Sequence, residues 1–255
     1  ITDLRPRDYD GFFEWRPRAS RPSLSPDVLE PEIKTALNNG IASAVFDNIY
    51  TINDNGGVGG FDFAKGKIFN EDRDGTYVIE GATGRVAAVG PAYRIALLST
   101  RKTNILLLGI SEWPEGVFAD PTNVEGRAAW WSFAYALRIA AGVHLDIDPS
   151  ELQAGFRARH DGTRVIGEAF LSDSLDNGAG YCSKLAQPDQ IEALLSQLDP
   201  QIEDSMANKW VSLVDDEGIG GHGAQCDSSC HRCLRDYYNS GYHGVLDWRL
   251  AGDMA

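Results

Sequence analysis

The run Cys226-Asp227-Ser228-Ser229-Cys230-His231-Arg232-Cys233 holds three of the four cysteines in the chain. The fourth, Cys182, closes a glycine-rich turn, Asp176-Asn177-Gly178-Ala179-Gly180-Tyr181-Cys182. Tetrahedral Zn²⁺ is the economical reason for such a set. It takes four thiolates at about 2.3 Å, and a shell closed by four protein ligands is structural, with no position left for substrate. Cys182, Cys226, Cys230 and Cys233 are therefore the candidate ligands. The C-x₃-C-x₂-C spacing is slightly off the paired C-x₂-C of zinc ribbons. A redox Cys230-x-x-Cys233 pair competes, but that chemistry wants a βαβ setting and a helix N-terminus to lower the thiol pKa. No strand of that kind is legible before Cys230. His222, His231 and His243 are reserve ligands, ranked below the thiols because a histidine beside a cysteine cluster is more often a supporting residue.

Working outward, the bulk of the chain is that of a globular protein: 255 residues, 43% apolar and 24% charged. A chain of this length buries roughly three quarters of its unfolded surface. The net charge of −14 argues against a protein that holds nucleic acid by itself, because phosphate neutralisation needs a basic footprint. DNA contact, if any, is then local or supplied by a partner. No stretch of eighteen apolar residues suggests a transmembrane helix. The chain opens on Ile-Thr-Asp-Leu-Arg-Pro, without an initiator Met or a signal-peptide core. The expectation is a piece of a longer, or trimmed, cytoplasmic polypeptide with clustered reduced thiols and no membrane contact.

Residues 1–32 are rich in proline and arginine, which predicts an extended arm or linker. Arg16, Arg18 and Arg21 are its candidates for meeting phosphates or an acidic partner, although basic runs are commonly only solvated. Residues 33–120 read as a β-rich half, with short runs such as Ala44-Val45-Phe46, Ile49–Ile52, Thr76–Ile79 and Arg94–Leu98 between Gly/Asn/Asp turns. Leu106–Leu108 reads as a central strand. Gly59–Ile68 imitates a phosphate loop, but Gly60 and Gly66 are one residue too far apart and Ile68 stands where Ser or Thr would bind Mg²⁺. Val211–Glu217 likewise imitates the acidic strand of an ATPase, and without a phosphate loop it does nothing. The chain alone is thus expected not to be an enzyme.

Residues 121–255 read as a helical and zinc-binding half, compact with 33–120. Thr122-Asn123-Val124-Glu125 has the form of a capping box. Behind it Trp130, Phe133, Ala134, Leu137 and Ala141 recur on one helical face, which predicts a central buried helix. Residues 163–172 predict a strand running into Asp173–Gly180. Its carboxylates and glycines fit Asx turns more economically than a catalytic cluster. Ile191, Leu194, Leu195 and Leu198 mark another amphipathic helix, and Val245–Met254 a last one. The fold class expected is α/β in the α+β sense: a mixed or antiparallel sheet packed with helices and stapled by a Cys₄ zinc site.

Leu171–Cys182 and Cys226–Asn239, with Leu246-Asp247-Trp248-Arg249-Leu250 after them, resemble the signatures of the MrfA-type zinc-binding (MZB) domain. That domain, formerly one of unknown function, occurs at the C-terminus of superfamily 2 DNA helicases and in the B component of the DISARM anti-phage system. The likeness covers about 120–255 well, and Ile49–Asn55 and Thr103–Leu108 more loosely. It places the family's zinc cysteines on Cys182, Cys226, Cys230 and Cys233, and implies a structural Zn²⁺ tying a turn at 182 to a knuckle 44 residues on. Arg232 and Arg235 would sit beside the anionic zinc–thiolate centre and are the local candidates for phosphate contact. The function implied is a non-catalytic accessory or C-terminal module of a DNA helicase assembly in anti-phage defence, closest to the DISARM type. It would support DNA binding and subunit contacts, with the ATPase on the same polypeptide or on a partner subunit. Two other readings stand beside it: a Mg²⁺-dependent nuclease using Asp173 and Asp176, and a zinc-stapled interaction scaffold that never meets nucleic acid.

Overall fold

The computed structural model describes residues 20–255 except 26, 28, 54–60, 65–66, 70–76, 81–84, 89–92, 114, 116–117, 163 and 215–219, and only the backbone between 54 and 95. Arg16, Arg18 and parts of the two phosphate-site imitations lie outside the described residues. The strands are β1 (Ser20–Ser23), β2 (Ile33–Ala36), β3 (Gly40–Asn53), β4 (Phe61–Ala64), β5 (Lys67–Phe69), β6 (Tyr77–Glu80), β7 (Arg85–Ala88), β8 (Tyr93–Ile95), β9 (Leu97–Ile110), β10 (Leu152–Asp161) and β11 (Arg164–Asp173). The α-helices are α1 (Val124–Leu145), α2 (Tyr181–Leu185), α3 (Pro188–Ser196), α4 (Met206–Val211), α5 (His222–Gln225) and α6 (Trp248–Asp253).

The chain divides into two units, Ile1–Arg21 with Tyr50–Thr100, and Pro22–Ile49 with Arg101–Ala255. In the first, β4 pairs antiparallel with β5 and β8, and β6 with β7. The second carries both candidate motifs.

The fold class is α+β, as the sequence implies. Six strands form a sheet in the order β1-β3-β9-β11-β10, with β2 also on β3. Every pairing of this sheet whose register is described is antiparallel. The strand that contains Leu106–Leu108 lies at its middle. Side chains alternate across a sheet, and the two faces of this one divide accordingly. Ala42, Ala44, Leu106, Leu108, Leu152, Ala154, Ala169 and Leu171 pack against α1. Val45, Ile49, Ile105, Leu107 and Phe170 gather in a second, smaller core with Leu24. Four alanines on the first face let the helix lie close. So does Gly167, where a Cβ would stand 2.2 Å from Trp130 Cε2. Trp130 is fully buried there, and its indole N–H donates to the Ala119 carbonyl at 2.9 Å.

The helix predicted from the aromatic stripe is the central one: Trp130, Phe133, Ala134, Leu137 and Ala141 are all buried. It is apolar well beyond one stripe, the pattern of a helix covered on more than one side. Its start differs by one residue from the predicted box. Asn123 is the N-cap, its side chain accepting from the Gly126 N–H at 2.6 Å. Thr122 turns back to Asp120, bonding Oδ1 through its N–H at 2.8 Å and its hydroxyl at 2.7 Å. Replacing Asn123 by alanine is expected to cost about 1 kcal/mol in denaturant titration, and Thr122→Ala clearly less.

Residues around 149–152 read as a turn in the sequence, and β10 is not legible behind them. Its apolar face, Leu152, Ala154 and Phe156, does alternate. Arg157, Arg159 and His160 give the strand a polar composition that masks this pattern. Those arginines face the other side of the sheet, where Arg157 and Arg159 bind Glu168 on β11 at 2.7 and 2.9 Å.

Candidate metal centre and the glycine turn

His222 opens α5, and Cys226, Cys230 and Cys233 follow on the loop behind it. Their ligand atoms all lie within 4.8 Å of one another. Cys226 and Cys233 sulfurs are 4.0 Å apart, those of Cys230 and Cys233 3.9 Å, and His222 Nε2 is 3.6 Å from Cys230 Sγ. Donors about 2.3 Å (sulfur) and 2.0 Å (nitrogen) from one tetrahedral centre are separated by about 3.8 Å between sulfurs and about 3.5 Å between nitrogen and sulfur. The set has the size of a zinc shell.

Hydrogen bonds at its border fix the chemistry further. His222 Nδ1 is 2.9 Å from the Trp210 carbonyl oxygen. A carbonyl only accepts, so Nδ1 carries the proton and the Nε2 lone pair points at the thiols. This is how metal-binding histidines are commonly oriented. The backbone N–H of Cys230 donates to Cys233 Sγ at 3.1 Å and that of Arg232 to Cys230 Sγ at 3.3 Å. Such bonds favour thiolates over thiols; against burial they help hold the Cys230 thiol below the ordinary range, whereas at Cys233 burial outweighs them and pushes the thiol up to about 12. Helix α6 closes the back of the loop: Trp248 donates its indole N–H to the Cys226 carbonyl at 3.0 Å and its backbone N–H to the Ser228 carbonyl at 2.9 Å. The Trp248 ring also meets His222 edge-on, with centroids 5.6 Å apart.

Cys182 is not in this group. It sits fully buried in α2 against Asp173 and the Leu106 backbone. Burial first, then the Asp173 charge and a hydrogen bond to it, push its thiol well above the ordinary range. What separates it from the other three is geometry: its sulfur lies outside the group that His222, Cys226, Cys230 and Cys233 form. Of the reserve histidines, His222 joins the three cysteines. His231 is exposed, and His243 Nε2 lies 3.0 Å from the Asp236 carbonyl and 2.9 Å from Asn239 Oδ1. The signal for His222 was its four-residue spacing from Cys226, which extends the run to H-x₃-C-x₃-C-x₂-C.

Arg232 is exposed, with one long bond to Gln225 Oε1 at 3.4 Å. Arg235 is half-buried and engaged within the loop, donating to Ser229 Oγ at 2.8 Å and the His243 carbonyl at 3.4 Å. Arg21 lies in β1 at the border of the sheet. The loop is tied to the core by Arg138 of α1, whose buried guanidinium meets Asp236 at 2.6 Å and the Pro149 carbonyl at 2.9 Å.

The glycine turn is a backbone clamp. The buried Asp173 carboxylate accepts four N–H groups: Ala179 and Gly180 at 2.7 Å, Tyr181 at 3.2 Å, and Cys182 at 3.0 Å. It thereby satisfies the orphan donors at the start of α2. Gly178, at φ +75, seats the turn on β9, where a Cβ would come within 1.9 Å of Asn104 Oδ1. Thr103 Oγ1 donates to the same turn at the Leu175 carbonyl, 2.9 Å away. Asp176 is exposed. The carboxylates read as a possible catalytic pair therefore differ in kind, one enclosed by amides and the other in solvent.

These observations define an α+β domain in which His222, Cys226, Cys230 and Cys233 form a group that could hold a metal ion. The chain is homologous to part of the Druantia protein DruE of Escherichia coli, with 28% identity over 257 residues. The match takes in 90% of this chain and 13% of DruE. Among solved structures, the crystal structure of the DUF1998 helicase MrfA bound to DNA aligns with a TM-score of 0.47 and 12% identity, over 92% of this chain and 25% of that one. The chain thus spans a small fraction of both relatives. No protein-family model matches it. Among the described residues, no helix is long and apolar enough to cross a membrane.

Proposed function

We propose that the chain is a non-catalytic, zinc-stapled accessory module of a DNA helicase assembly working in anti-phage defence. The observation that carries this is the homology to a segment of DruE over nearly the whole chain. We also assign the zinc ligands to His222, Cys226, Cys230 and Cys233, on their mutual distances and the orientation of the imidazole. Zn²⁺ there would be structural, since four protein donors leave no position for substrate. DNA and a helicase motor, in the same polypeptide or another subunit, are the partners, and the cytoplasm is the compartment.

The nuclease alternative draws no support from Asp173, whose oxygens already accept four backbone N–H bonds. A scaffold that never meets nucleic acid is compatible with the net charge of −14. The two are separated by native pull-down of the full-length protein from its host, with co-purifying proteins identified and assayed for DNA-stimulated ATP hydrolysis. A stoichiometric ATPase, in cis or in trans, is the expected result. A lone protein with neither ATPase activity nor salt-sensitive DNA binding would leave the scaffold reading.

A further inference from the structure

The sheet face turned away from α1 carries a groove that neither the metal centre nor the glycine turn uses. It is an open cavity of about 440 Å³ within the larger unit. Its floor is aliphatic, with Ile41 from β3, Leu107 from β9 and Ile166 from β11. Ile41 is 36% exposed, so the floor is open to a ligand. The rim is cationic. Lys34, Arg157, Arg159 and Arg164 face Asp161 and Glu168, leaving a surplus of two positive charges in a chain whose net charge is −14.

The arginines are held in place. Glu168 binds Arg157 Nε at 2.7 Å and Arg159 Nε at 2.9 Å. Arg157 is buried and also donates to the Ser25 and Asp27 carbonyls at 2.6 and 3.0 Å. Its donors are largely occupied. Arg159 is bonded through Nε alone among the described contacts, which leaves its two terminal nitrogens for a further anion. Arg164 is exposed and lies over the Phe118 ring at 5.6 Å, which steadies a guanidinium without occupying its donors.

Two kinds of anionic chain could answer this charge. Single-stranded nucleic acid is gripped by stacking successive bases on aromatic side chains along a basic groove; among the described residues that line this groove none is aromatic, and the single ring beside its rim, Phe118, is already covered by Arg164. Its aliphatic floor instead suits aliphatic side chains, and its rim suits carboxylates, which planar guanidinium groups bind well. We propose that the groove docks an acidic, apolar segment of a partner protein. Its aliphatic side chains lie on Ile41, Leu107 and Ile166, and its carboxylates meet Lys34, Arg159 and Arg164. This rests on the groove's own chemistry and holds whether or not a helicase is the partner.

The test is fluorescence anisotropy on the zinc-loaded full-length protein with a labelled peptide of alternating aspartate and leucine. A lysine–leucine peptide and an oligothymidylate serve as comparisons. The aspartate peptide is expected to bind saturably and the lysine peptide not at all. Lys34→Glu combined with Arg164→Glu should weaken binding at least about tenfold, since reversing rim charges places like charges together. Ile41→Asp should do so independently, with circular dichroism and zinc content unchanged in the double variant. Absence of saturable binding, or binding indifferent to Lys34→Glu/Arg164→Glu, overturns the proposal. Oligothymidylate binding that disappears with the same substitutions also overturns it, in favour of nucleic acid.

Discussion

A His222→Ala variant is expected to lose its zinc, while Cys182→Ala keeps one equivalent. The two substitutions separate the ligand set built by the structure from the all-cysteine set expected of the motifs. Removing His222 leaves three thiolates and an open position, and deletes the Nε2 lone pair that the Trp210 carbonyl aims at the sulfurs. Substitutions of supporting residues alone weaken metal affinity about 10–100-fold, so the loss of a ligand should exceed that range. The loop from Cys226 to Asn239 and the packing of Trp248 on it should loosen together, because a local metal shell supplies much of the order of such a segment. Cys182→Ala removes a buried sulfur from the core and should cost about 1–2 kcal/mol through lost packing, without releasing metal. Elemental analysis of protein purified without chelator gives the first answer. Co²⁺ substitution gives the second, since the charge-transfer intensity of the wild type should correspond to three thiolates. Zinc loss in Cys182→Ala with retention in His222→Ala would reverse the assignment.

Asp173→Ala is expected to destabilise the protein by about 3–5 kcal/mol, because it strands several amide donors at the start of α2 together with the Cys182 thiol. Asp173→Asn should fall between, since an amide oxygen still accepts but without the charge. Denaturant titration measures both. A nuclease site would behave otherwise: the alanine variant would remain as stable as the wild type and lose a Mg²⁺-dependent cleavage activity. The turn's other contacts point to stability. Gly178 has a positive φ and no room for a side chain, and Thr103 anchors Leu175.

The sequence carried the parts of this fold that rest on local periodicity. Trp130 to Ala141 declared the central helix because one face of it had to be buried, and Leu106–Leu108 declared a central strand because both its faces are. What it hid depended on partners distant in the chain. The alternation of β10 was hidden by its arginines, whose counter-charge, Glu168, lies on the neighbouring strand. The capping residue is Asn123 and not Thr122 because Asp120 competes for the threonine. For the metal centre, the three clustered cysteines were legible from spacing, and His222 was legible only as a reserve behind Cys182. A motif shared between two segments suggested that both meet the same ion. In the structure Cys182 lies against Asp173, and the Trp210 carbonyl, twelve residues before His222, orients that imidazole toward the three other cysteines.

The compactness of that ligand set bears on how the chain assembles. A shell shared between residues 182 and 226 would form only after a long loop had closed, whereas one confined to His222–Cys233 closes over spacings of three and four residues. Short loops close in well under a microsecond, while pairings of widely separated strands are slower. Antiparallel pairing of β9 with β11 brings Leu106 to Leu171 across a long stretch of sequence. With the ligand set proposed here, the metal shell closes without any contact between distant parts of the sequence. The long-range tie of this loop to the core is a separate contact, the ion pair of Arg138 on α1 with Asp236.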